Sequence, residues 1–228
     1  MTRTLNPGTF AWLVVLGWAA QTNAAGPNER LLELQADIEQ VHRLDGELAD
    51  VENQEQSVRG DDPREPTLKR RYGELLLRAA RLKQSAIQRA IATYRIDVSR
   101  LRLGVSYSPH GDMRDREGAT YLDEDGTVRV EIGDEAFASA ARLGSTIAHE
   151  VEVHVNRQIA KGVYYPSTDE QGTLIQEVEA YDHELASKDR FELGADELKL
   201  LKQRRASYYR RLEWENRKRA DVALYVKW

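Results

Sequence analysis

The stretch STIAHEVEVHVNRQ, Ser145 to Gln158, carries two of the chain's five histidines, His149 and His154, five positions apart, with Glu150 directly after the first. Imidazoles and carboxylates converging within ~2.0–2.2 Å hold a divalent metal, and a catalytic site keeps only three protein ligands so that water can take the fourth place. Such a water is acidic near neutral pH, and a neighbouring carboxylate can take its proton. The familiar arrangement is HExxH on one helical face, and HEVEVH is one residue longer. At ~100° per residue, five steps of a regular α-helix set the two rings about 140° apart. A wide i to i+5 turn would return both rings to one face. A regular ladder would instead pair Glu150 with His154 across i to i+4 and leave the histidines structural.

HEVEVH resembles the HExxxH motif of the dipeptidyl-peptidase III family, whose histidines bind zinc and whose intervening glutamate is the general base. The family draws a third ligand from an EExxAE motif, which QEVEAY, Gln176 to Tyr181, matches in part. Glu177 falls on the ligand position and Ala180 on the alanine, whereas Gln176 and Tyr181 replace the first and last glutamates. The likeness covers two short segments of a much smaller chain, so dipeptide release is not implied. The wider glutamate-zincin group is similar in order: an edge strand, a motif helix, then a glutamate-bearing helix. TVRVEI, STIAHEVEVH and IQEVEAY follow that order. The resemblance implies zinc on His149, His154 and Glu177, with Glu150 as general base; Glu179 is the alternative third ligand, decided by helix rotation. Two imidazoles and a carboxylate accept other first-row metals as well, and only the resemblance favours zinc.

Four further groups are candidate donors to a developing oxyanion or props for a ligand: Tyr181, one turn after Glu177, with His183, Tyr164 and Tyr165. Tyr181 is taken as the catalytic partner of Glu150. Asp182 and Glu184 read as solvated helix residues, His42 as a surface residue, and His110, in the loop SPHGD, as a histidine outside the metal set.

Helices and one strand must position these groups. Leu31, Leu34, Ile38, Val41, Leu44, Leu48 and Val51 mark an amphipathic helix. GDDPREPT, Gly60 to Thr67, breaks it, and Pro66 suits the first turn of a second helix whose apolar spacing runs from Leu68 through Tyr94, ending near Gly104. The two form an antiparallel hairpin that serves as a structural or self-associating arm. VSYSPHGDMRDREG reads as loop, and TYLDEDGTVRVEI as two strands around Glu124, Asp125 and Gly126. Thr127 to Ile132 is the expected edge strand, able to hold an extended peptide by strand addition. A helix follows with Asp134 as N-cap, and Gly144 and Ser145 interrupt or restart it. The glutamate helix is expected over Thr173 to Arg190, and a last long helix from Ala195 to beyond Trp214.

The chain has 228 residues, 31% of them charged, and a net charge of −5, so no basic field argues for nucleic acid or an anionic membrane surface. Arg3, the apolar run Phe10 to Ala20 and the small residues Thr22, Ala24 and Ala25 read as a cleaved export signal. About eleven apolar residues fall short of the ~20 that cross a bilayer. With no cysteine there is no lipobox, disulfide or thiolate chemistry. The expected fold is α+β, mainly α-helical: signal peptide 1–25, helical hairpin 26–104, and a small zincin-like domain 105–228 built on a β-hairpin and edge strand. The expected protein is periplasmic or secreted and bacterial, a zinc-dependent metallopeptidase with a peptide or protein substrate. It has no nucleic-acid partner, no membrane insertion after signal cleavage, and a face for self-association on the N-terminal helices. A different class stays open, a non-catalytic exported adaptor in which HEVEVH is a salt-bridged structural helix.

Overall fold

The computed structural model describes residues 26–58, 62–109, 113, 116–164 and 169–225. The expected signal segment, His110 and Tyr165 lie outside them. Two thirty-residue helices open the described chain, α1 (Pro27–Gln56) and α2 (Glu65–Tyr94), packed on each other as the stripes require. Pro66 sits in the first turn of α2, where its missing N–H costs nothing. α2 stops at Tyr94, short of Gly104, because Arg95 adopts a left-handed conformation (φ 53°) and breaks the ladder.

Three short strands form one sheet: β1 (Val105–Tyr107), β2 (Gly118–Leu122) and β3 (Val128–Ile132). Their order is β1-β3-β2, with β1 parallel and β2 antiparallel to β3. Two expectations change here. Val105 to Tyr107, read as loop, is a strand, and the segment read as the edge strand, Thr127 to Ile132, is the central one, paired on both sides. The edge that remains on the hairpin side is β2. The two hairpin strands alternate alike, and only the three-residue β1, too short to show a period, decides which lies inside.

After the sheet comes a short 3₁₀ turn, Asp134–Ala138, and then α3 (Ala140–Ala148). Ser139, not Asp134, caps α3, its Oγ accepting the Arg142 N–H at 2.9 Å. Asp134 is occupied elsewhere, accepting from the Tyr107 hydroxyl and from the buried Lys83 ammonium, each at 2.8 Å. Gly144 and Ser145 lie inside α3 without a break. Gly144 is needed because a Cβ there would stand 2.3 Å from the Tyr94 ring, so α3 and α2 meet where only a hydrogen fits. Without interruption α3 passes into a widened segment, His149–Ile159, followed by α4 (Glu170–Ala186), the single turn α5 (Lys188–Phe191) and α6 (Ala195–Tyr225).

One apolar core joins all of this. Leu34, Ile38 and Val41 of α1 and Ala86, Ile87 and Ala90 of α2 pack in one cluster with Val130 and Ile132 of β3, Leu143 and Ile147 of α3, and Leu201 of α6. The far end of the hairpin has a smaller core of its own, Leu44, Val51, Leu75 and Ala79. The fold is α+β and mainly α-helical. Among the described residues no helix is long and apolar enough to cross a membrane.

Candidate metal centre

Residues 149–159 wind as a π-helix, with i to i+5 hydrogen bonding, so His149 and His154 fall in one row on one face. The rings meet edge to face with centroids 5.0 Å apart. Opposite them α4 presents Glu177, whose two carboxylate oxygens lie 3.6 Å from His149 Nε2 and 3.7 Å from His154 Nε2. One atom from each of the three residues lies within 4.8 Å of the others, against about 3.4 Å between ligand atoms on ~2.0–2.1 Å bonds about a tetrahedral ion, so the side chains would draw together to hold one. The three residues form a cluster able to hold a metal ion.

The remaining ring nitrogens support the same conclusion. His149 Nδ1 is 2.8 Å from Glu184 Oε1, and His154 Nδ1 is 2.7 Å from Gln158 Oε1. With both partners accepting, each Nδ1 donates away from the cleft, and Nε2 is the atom left facing Glu177 for an ion to take, in His149 by displacing the proton it shares with that carboxylate. Glu184 also accepts from Ser145 Oγ and lies 3.7 Å from Arg142 Nη1. Arg142, 2% exposed, makes a two-pronged ion pair with Glu117, which in turn pairs with Arg204 on α6. Gln158 is held from behind, its Nε2 donating to Glu179 Oε2 at 3.0 Å.

Burial opposes a charged His149 ring, yet the carboxylates of Glu177 and Glu184 outweigh it and set its pKa well above the ordinary imidazole value. Burial likewise opposes ionisation of Glu177 and Glu184, but their bonds to His149 prevail and hold both carboxyls below the usual range. The buried carboxylates of Glu177 and Glu184 are balanced here by the His149 ring, and for Glu184 by Arg142 as well, and the same negative charge would favour a cation at the cluster.

The chain matches no known family model, no curated protein and no solved structure.

Glu150 does not bridge to His154, as the structural alternative expects; its carboxylate reaches β2, where Thr120 Oγ1 donates to Oε2 at 2.7 Å. Tyr181 packs edge on against His149 with centroids 5.0 Å apart, and burial, with Glu177 nearby, raises its phenol so that it stays protonated. Tyr164 lies at the rim, its hydroxyl donating to Thr120 O at 2.8 Å. Together with Tyr208 and Arg211 of α6 these groups line an open cleft of about 1420 Å³ between β2, α4 and α6.

Three expectations are corrected. His183 does not face the cleft: its Nε2 meets Glu152 at 2.9 Å and its Nδ1 accepts from Arg157, because α4 turns it to the outer side of the π segment. Glu179 supports Gln158 instead of joining the cluster. Glu184 is not solvated but 1% exposed, directly behind His149. Its sequence signal is position: Glu177, Tyr181 and Glu184 recur at i, i+4 and i+7, one face of α4. Asp182 is on the exposed face as expected, paired with Arg205, and His42 is exposed with a hydrogen bond to Phe137 O.

Proposed function

We propose that the protein is a zinc-dependent peptidase, exported by its N-terminal segment, that cleaves peptide bonds in the β2 cleft. The observation that carries this reading is the π-helical row: it turns two Nε2 atoms toward Glu177 and sets Glu150 beside them at the cleft. Zinc, when bound, supplies a Lewis acid that acidifies water and polarises the substrate carbonyl. Glu150 takes one proton as the water oxygen bonds to the carbonyl carbon, and returns it to the leaving nitrogen as the C–N bond breaks. The products are a carboxylic acid and an amine, which pass the second water proton between them to leave as carboxylate and ammonium. The protonated phenol of Tyr181 stands on the His149 side as a donor for the oxyanion. The free flank of β2 offers the substrate backbone a strand to pair with.

Elemental mass spectrometry of protein purified without chelator or metal-affinity resin tests the first half. About one equivalent of zinc is expected, absent from His149→Ala. Glu150→Gln is expected to retain that zinc while losing hydrolysis of β-casein and of a mixed fluorogenic peptide library by more than about 100-fold. No zinc after equilibration with the metal, or turnover retained in the glutamine variant, overturns the reading.

A further inference from the structure

We infer that β2 is a cradle for Glu150, in which Gly118 and Thr120 are positioning residues that aim its carboxylate into the cleft. The two share one face of the strand, being two positions apart. Their partners on β3, Ile132 and Val130, are buried in the core, so this face is the inner one, against which the π segment packs. Along that face the sheet changes character, from branched apolar side chains on β3 to a glycine and a hydroxyl on β2. The Glu150 side chain lies across both.

At Gly118 the side chain is missing where Glu150 needs room. A Cβ built there would stand 2.9 Å from Glu150 Cγ and Oε1 and 3.2 Å from Cδ. The backbone at Gly118 is not in the left-handed region, so conformational freedom does not explain the glycine. Close approach does. At Thr120 the hydroxyl donates to Oε2 at 2.7 Å, a charge-assisted bond that pins one oxygen. The second oxygen remains to receive a proton. Glu150 is thus held by a donor on one side and a gap on the other, and both are written into a five-residue strand.

This inference rests on the peptidase reading only for its kinetic arm, and the experiment separates the two. Crystal structures of the zinc-loaded wild type, Gly118→Ala and Thr120→Val read the carboxylate position whether or not turnover is found. The alanine is expected to displace the Glu150 carboxylate by several tenths of an ångström or more, and the valine to release Oε2. The kinetic arm uses β-casein and the peptide library. Both variants are expected to keep one equivalent of zinc and an unchanged KM, while kcat falls about 10- to 100-fold. Thr120→Ser, which keeps the donor, is expected to restore kcat to within about threefold of wild type. A Glu150 carboxylate left in place by both substitutions overturns the cradle, as does wild-type kcat in both variants. Absence of wild-type turnover would instead overturn the peptidase reading and leave the crystallographic comparison to decide the cradle.

Discussion

The two imidazoles of the centre are held by opposite kinds of chemistry. His149 leans on Glu184, an ionised carboxylate sunk in the interior and steadied by Ser145 and Arg142. His154 leans on Gln158, a neutral amide that Glu179 steadies in turn from a more exposed position. Both arrangements put an acceptor on Nδ1 and turn Nε2 the same way, so orientation alone does not require a charge. What the buried carboxylate adds is electron density on its ring and a need for positive charge nearby. The amide adds geometry with little electrostatic demand. The centre therefore has a charged half and a neutral half, and the halves answer differently to substitution.

The largest effect is expected at Glu184. Glu184→Ala leaves the Nδ1 proton of His149 without its acceptor and removes one of the two carboxylates beside the Arg142 guanidinium, which keeps its pair with Glu117. It should weaken zinc binding about 10- to 100-fold and lower unfolding stability by about 3 kcal/mol, read by competition with a chromogenic chelator and by urea denaturation. Glu184→Gln, which keeps an acceptor and removes the charge, should fall between the alanine variant and wild type. Equal losses in both would show that charge is the whole contribution.

At the neutral half the expected loss is smaller. Gln158→Leu should weaken zinc about 10-fold and cost about 1 kcal/mol of stability, and Glu179→Ala only a fewfold in affinity, by the same titration. A loss at Gln158 that matched Glu184→Ala would erase the distinction. The smallest effect is expected on the backbone. Because both supports are protein groups, chelation should leave the far-ultraviolet circular dichroism unchanged, while lowering the thermal midpoint in proportion to the binding free energy forgone. Collapse of the helical signal on chelation would mean that the ion, and not the supports, holds the π turn.

His149, His154 and Glu177 are legible in the sequence because ligand chemistry restricts residue type and spacing together. The π turn is legible for the same reason, since only that winding reconciles HEVEVH with a shared ion. Glu184 is harder to see, because a glutamate in a charged helix reads as solvated until the i, i+4, i+7 face through Glu177 is drawn. The amphipathic hairpin is plain from its stripes, but its end is not: Arg95 turns left-handed against the pattern, and Arg190 covers the Tyr94 carbonyl from ninety-six residues downstream. The identity of the edge strand depended on β1, which pairs through its backbone and carries too few side chains to betray itself.

That edge has a meaning for the protein among its own copies. A strand edge left unpaired among the described strands is available to the same strand of a neighbour, the usual first step toward aggregation. The Tyr164 hydroxyl sits on the Thr120 carbonyl and caps one of the acceptors such pairing would use. In the peptidase reading a substrate must displace that phenol to dock, so the residue that shields the chain from sticking to itself is also a toll on every substrate that enters.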